Sequence, residues 1–202
     1  ICDTLVDDLV AAAGEGHSDL VAQVAFPFPV IVIAELLGIP PERRDDFKRW
    51  SDALVGALSG SWNPTEAQQT LAEMFVYLAD VVERRRHEPG NDLISRLVTA
   101  SDPDDPDALT APEITLFAIL LLVAGNETTT NLIGNGAAAL AAHPDQAHLL
   151  ADRPELLPAA IEEVLRWDAP VQGLFRATTR PVTVAGVDLP AGAVILASFA
   201  AA

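Results

Sequence analysis

Ala124-Gly125-Asn126-Glu127-Thr128-Thr129 sets a flexible glycine, an acid and a row of hydroxyls in the middle of a long apolar run. Leu116 to Val123 before it is almost entirely aliphatic, and Leu132 to Ala142 after it is apolar and small again. A glycine costs a helix interior about 1 kcal/mol against alanine. A threonine hydroxyl bonded to a preceding carbonyl bends the helix. Several such local violations in one place point to a site. Leu120, Ala124, Thr128 and Leu132 share one helical face at four-residue spacing, and Glu127 lies about 100° round the axis from Thr128. Ala124 and Gly125 leave room for something large and flat against the backbone. An acid beside an alcohol, facing a gap, suits proton delivery to a bound oxygen species. A kinked core helix whose glutamate reaches solvent or a partner arginine accounts for the same residues.

Working outward, Thr110-x-x-Glu113 is a capping box that starts this central helix, which the pattern carries to about Ala142, where His143-Pro144 ends it. Before it, Asp3 to Ala13 reads as a helix with Leu5, Val6, Leu9 and Val10 on one face. Gly14 to Gly16 closes that helix. Asp19 to Gly38 is an apolar segment broken at Pro27 and Pro29. Glu42 to Leu58 is amphipathic, with Phe47, Trp50, Leu54 and Leu58 in step. Asn63-Pro64 opens a helix through Arg86 with Leu71, Phe75, Leu78 and Val82 inward, and Arg84, Arg85 and Arg86 suit the dipole at its end. Asn91 to Thr99 is a short helix. After it the run Asp102 to Asp107 reads as a solvated acidic loop. Beyond the central helix, Asp152-x-x-Glu155 and Pro158 announce a helix carrying Glu163 and Arg166. After Pro170, short strands are expected at Val182-Thr183-Val184, Val187 to Leu189 and Val194 to Leu196, punctuated by Gly186 and Pro190-Ala191-Gly192. The predicted class is mainly α with a small β part near the C-terminus.

Composition narrows the function classes. The chain has 202 residues, half of them hydrophobic, which suffices for a good core. Twelve basic residues against 29 acidic ones give a net charge of −17, which argues against nucleic acid or an anionic membrane as partner. A single cysteine, Cys2, excludes an internal disulfide and suits a reducing cytoplasm. The apolar run Leu116 to Ala124 is too short to span a bilayer. His17, His87, His143 and His148 show no metal-ligand spacing, and no Walker loop, dinucleotide fingerprint or nucleophile elbow is present.

Glu163-x-x-Arg166 alone is an ordinary helical ion pair. In order behind the Gly-x-acid-Thr-Thr cluster, and followed by Pro170-Val171 and Arg176, it is more specific. With the stretch Phe26 to Pro40, ending Ala34-Glu35-Leu36-Leu37-Gly38-Ile39-Pro40, the chain resembles the cytochrome P450 superfamily of the soluble bacterial type. The resemblance runs over nearly the whole chain and implies a partial cytochrome P450 fold, taken as a single partial domain over 1–202. Its expected parts are lid helices about 42–88 flanking a tip at Ser59-Gly60-Ser61-Trp62, the central helix about 110–142, the Glu-x-x-Arg helix about 158–167 and a β region about 170–200.

The resemblance also implies a parent enzyme that binds haem b and takes two electrons from a ferredoxin- or flavodoxin-type donor. That parent inserts one oxygen atom from O2 into a small organic substrate. On the matching positions, Glu127 and Thr128 steer protons, Ala124 and Gly125 border the haem face, and Arg176 pairs with a propionate. Glu163 and Arg166 are structural, and Asn126 stands at a variable, permissive position. Leu120, Val123, Val171 and Gln172 are the expected pocket walls, from helix phase and from adjacency to Arg176. The haem Cys loop and the arginine that partners the Glu-Arg pair are not in this chain, and Cys2 stands in the wrong context for a ligand. With Ile1 at one end and the apolar run Ala197 to Ala202 at the other, the chain reads as an internal fragment, inactive alone. Its exposed haem face is expected to leave it unstable. The alternative is a natural truncation serving as a non-catalytic binding or interaction module.

Overall fold

A computed structural model describes residues 1–14, 16, 18–59, 63–101 and 107–199. The lid tip at Gly60, Ser61 and Trp62, the acidic run 102–106, His17 and the final alanines lie outside the described residues. Contacts divide the chain into two compact units, Ile1–Thr130 and Asn131–Ala202.

The first unit is helical. It contains α1 (Cys2–Ala13), a π-helical turn (Val21–Ala25), α2 (Pro27–Leu36), α3 (Arg44–Ser59), α4 (Pro64–His87) and α5 (Leu93–Ala100). It also holds the first part of α6 (Ala111–Ala142). The expected break falls at Pro27 alone: the π-helical turn ends at Ala25, and Pro27 opens α2, where a missing N–H costs nothing. Pro29 makes no break and is buried in the first turn of α2. No residue of α1 is fully buried: Leu5 and Leu9 are half-covered, while Val6 and Val10 are exposed.

The core gathers Val30, Ile33 and Leu37 of α2, Phe47 and Trp50 of α3, and Met74, Leu78 and Val82 of α4. Ile94, Ile114, Ala118 and Leu122 complete it from α5 and α6. Phe75, expected inward, is 41% exposed, and its neighbour Met74 is buried instead at 1%. Leu78 and Val82 are buried and Leu71 packs against the core as expected, so the α4 face is the one the apolar pattern suggests, with Met74 in place of Phe75 where α4 meets α3 and α5. Asn63 caps α4 as its sequence implies, accepting from the Thr65 and Glu66 amides.

Helix α2 ends in a Schellman motif. The Ile39 amide donates to the Ala34 carbonyl, and Gly38 donates to the Glu35 carbonyl with its own φ at +70°. A side chain at Gly38 would strike the carboxylate of Asp92. Gly38→Ala therefore combines a left-handed backbone cost of about 1–2 kcal/mol with a clash against a buried group. The expected outcome is a fall in the denaturant midpoint larger than any other Gly→Ala change in this chain produces. An unchanged midpoint would contradict this packing.

The second unit carries the rest of α6, α7 (Pro144–Asp152), α8 (Leu157–Trp167) and four short strands, β1 (Gly173–Ala177), β2 (Val182–Val184), β3 (Val187–Leu189) and β4 (Val194–Ser198). The three expected strands are present. β1 is an addition: it pairs antiparallel with β4, placing Arg176 opposite Ile195, while β2 and β3 form a hairpin. The hairpin turns through Ala185 (φ 50°) and Gly186 (φ 81°), both left-handed, as a two-residue primed turn requires.

Candidate functional site: the central helix and its neighbours

The start of α6 is the expected capping box. Glu113 accepts from both the amide and the hydroxyl of Thr110, at 2.8 and 2.6 Å. The Thr110 hydroxyl bond, then the amide bond, hold the Glu113 carboxyl below the usual carboxylate range. The helix then runs without interruption for 32 residues. Among the described residues it is the one helix long and apolar enough to cross a membrane, more than the short run Leu116 to Ala124 alone implies. Its buried side nevertheless carries hydrogen-bonded polar groups packed inside the first unit.

That buried side follows a four-residue stripe, Ile114, Ala118, Leu122, Asn126 and Thr130, with Thr115 buried beside its start. The other side is bare. Leu116 is 55% exposed, Phe117 39% and Leu120 61%, followed on the same side by exposed Ala124 and Glu127. An apolar strip of this extent on a helix is unusual for a finished surface. Thr128 is half-buried, and its hydroxyl donates to the Ala124 carbonyl at 2.7 Å. Its lone pairs stay free to accept from water. Glu127 forms no ion pair with any described residue. Val123 is half-covered.

Two expectations need correction. The gap foreseen at Gly125 is filled, because Ile33 Cδ1 of α2 lies where a side chain would begin, 2.8 Å from that position. Only Ala124 keeps an open side. Asn126, expected to be permissive, is fully buried. Its amide nitrogen donates to Ser51 Oγ of α3, and its carbonyl oxygen faces the Thr130 hydroxyl at 3.3 Å. Thr130 Oγ1 also reaches the Ala25 carbonyl at 3.1 Å. An unpaired buried amide costs about 1–3 kcal/mol, so an apolar helix tolerates this asparagine only because Ser51 and Thr130 meet it. A polar residue at a core phase of an apolar helix was the available signal. Its partner, 75 residues earlier, was not visible.

In the second unit Arg166 grips Glu163 through two parallel bonds, Nε to Oε2 at 2.8 Å and NH2 to Oε1 at 2.6 Å. The bond from Arg166 lowers the Glu163 carboxyl below its ordinary range, and Glu163 in turn raises Arg166. Both are exposed. Arg176 is also exposed on β1; its guanidinium donates only to the Phe175 carbonyl, at 3.1 Å, and has no carboxylate partner among the described residues. Val171 is half-covered and Gln172 exposed, the latter accepting from the Phe199 amide. An apolar groove of about 840 Å³, which sequence reading did not foresee, runs between Leu132 and Leu140 of α6, Leu149 of α7, and Ile161, Val164 and Trp167 of α8. Among the described residues no cluster of His, Cys, Asp or Glu could hold a metal ion, and Cys2 is exposed on α1.

The Cytochrome P450 family model matches residues 45–202. The chain belongs to the cytochrome P450 family. It is 45% identical over 200 residues to vitamin D(3) 25-hydroxylase of Pseudonocardia autotrophica, covering 98% of this chain and 48% of that one. To the monooxygenase PikC of Streptomyces venezuelae it is 43% identical over 201 residues, 99% of this chain and 47% of that one. Among solved structures, ligand-free cytochrome P450 TbtJ1 superposes with a TM-score of 0.83 at 41% identity, covering 98% of this chain and 52% of that one. CYP109E1 from Bacillus megaterium in complex with testosterone matches with the same TM-score, 0.83, at 39% identity, over 96% and 52% of the two chains. The chain thus spans about half the length of the curated P450 relatives it matches.

Proposed function

We propose that this chain is the central-helix half of a haem-dependent monooxygenase, which inserts one oxygen atom from O2 into an organic substrate. The observation that carries the reading is the bare strip Leu116, Phe117, Leu120 and Ala124 beside Thr128 and Glu127. A planar macrocycle needs a flat apolar wall with a small residue at closest approach, and this strip fits one face of haem b. Haem supplies the redox chemistry of dioxygen, tuned by a Cys thiolate that this chain does not contain, so we take the isolated chain to be inactive.

The chain's own residues would bind and move protons. Forming one product hydroxyl and one water from O2 takes two electrons and two protons. The electrons come from a ferredoxin- or flavodoxin-type donor, in the cytoplasm. The Thr128 hydroxyl, donating to the Ala124 carbonyl, holds a water through its lone pairs. Glu127, solvent-facing and without a salt partner among the described residues, reloads that water with protons. Gly125 lets α2 close against this turn. Arg176, which has no carboxylate partner among the described residues, would meet a propionate in a charge-assisted pair. Within the first unit, Leu120 and Val123 would line the substrate pocket.

Glu163 and Arg166 hold the α8 region for haem loading. Glu163→Gln in the complete protein should lower the haem content per polypeptide several-fold, read by absorbance against protein mass. A fully loaded, stable variant would show the pair to be dispensable. The reaction itself is tested with isotopically labelled O2: one labelled atom should enter the product and the other water. Product without the label would overturn oxygen insertion from O2, and no product at all would favour a non-catalytic binding module.

A further inference from the structure

The buried polar group on α6 ties the site to a distant helix. Asn126 and Ser51 are exposed by only 0% and 1%, and no water reaches them to substitute for their mutual hydrogen bond. The turn they hold is weak in itself. It contains Gly125, and the Thr128 hydroxyl is bonded to the Ala124 carbonyl within the same turn. Three outside elements grip it: α3 through Ser51, the π-helical turn through the Ala25 carbonyl and Thr130, and α2 through Ile33 packed on Gly125. Asn126 precedes Thr128 by two residues, about 200° round the axis. Fixing the asparagine on the buried side therefore sets the angle at which Ala124 and Thr128 face the open side. Helix α3 is itself packed on α4 through buried Phe47, Trp50, Met74 and Leu78, with the Trp50 and Tyr77 rings tilted against each other at 5.1 Å between centres and an exposed Arg49–Glu73 ion pair at the edge. A displacement of α3 is thus a displacement of the α3–α4 pair.

We propose that Asn126 is a positioning residue, whose hydrogen bond to Ser51 ties the α3–α4 pair to the turn of α6 that aims the Thr128 hydroxyl. The inference rests on the proton role given to Thr128 above. It makes product yield per electron sensitive to a serine 75 residues away in sequence.

The test uses the complete, haem-loaded protein. Ser51→Ala, which removes one oxygen atom, should lower product formed per electron consumed several-fold, and Ser51→Thr, which keeps the hydroxyl, should restore it. Asn126→Leu, which also removes the acceptor facing Thr130, should lower the yield at least as much as Ser51→Ala, and the double variant should be no worse than Asn126→Leu alone, since the Ser51 bond is already lost in it. Independently of turnover, amide hydrogen exchange should quicken across 124–130 in Ser51→Ala while 114–122 stays unchanged. Simple destabilisation reduces the amount of loaded protein but leaves the yield per electron of the remainder intact. The inference is overturned if Ser51→Ala and Asn126→Leu keep the wild-type yield and exchange while Thr128→Ala lowers the yield. If Thr128→Ala also keeps the wild-type yield, the proton role itself fails.

Discussion

Thr128→Ala in the complete protein should cut product formation by about 10²-fold, the usual worth of one positioned proton-transfer group, while electron consumption continues and hydrogen peroxide appears. The hydroxyl donates to the Ala124 carbonyl and is half-buried at the edge of the bare strip. Its removal leaves α6 otherwise intact: the lost bond is to a carbonyl already engaged in the helix ladder, so folding and haem loading should change little. Thr128→Ser, which keeps the oxygen, should retain most of the yield. Quantifying product and peroxide per electron pair decides the matter; an unchanged ratio would remove Thr128 from the chemistry.

The second large effect concerns the scaffold. Asp92→Ala should lower stability by about 3–5 kcal/mol, the cost of breaking a buried ion pair, which for a chain of this size is a fall of about 10 °C in Tm. Asp92 is 7% exposed and serves three elements at once. Its Oδ1 caps α5 by accepting from the Ser95 amide at 2.7 Å. Its Oδ2 lies 2.7 Å from Arg85 Nε at the end of α4, a close but poorly aligned charge contact. The same carboxylate fills the space beside Gly38 at the end of α2. Asp92→Asn keeps the cap and loses the charge, so its loss should be smaller. Equal melting of Ala and Asn variants would show that the cap contributes nothing, and wild-type melting of both would dismiss the junction.

What could be read from the chain alone was whatever its neighbours in sequence determine. Thr110 and Glu113 are three apart, and Asn63 meets the amides just after it, so both helix starts were legible as local chemistry. The hairpin at Ala185-Gly186 likewise follows from two short β-branched runs and a glycine. The misreadings share the opposite trait. Phe75 and Met74 are equally apolar, and only the placement of α3 and α5 against α4 chooses between them. Pro29 suggests a second break until Pro27 is seen to open α2, which leaves Pro29 at a first-turn position where a missing N–H is tolerated. Gly125 was read as an opening for a cofactor, but Ile33 of α2 occupies it. Asn126 was read as free to vary because its partner is on another helix. β1 was missed because Leu174, Phe175 and Arg176 have no alternation, and their strand exists through pairing with β4. For the candidate site, spacing put Thr128 and Glu127 side by side on one helix, whereas the bare strip beside them required the burial of the opposite stripe.

The central claim is that the Leu120–Ala124 side of α6, not the Ala118–Leu122 side, faces the iron. Methyl NMR of the complete ferric protein, with labelled Ala and Leu, measures this directly through paramagnetic broadening. Ala124 and Leu120 should be broadened far more than Ala118 and Leu122, which are 1% and 0% exposed on the packed stripe. Broadening that is equal on both sides, or stronger at Ala118 and Leu122, would contradict the account.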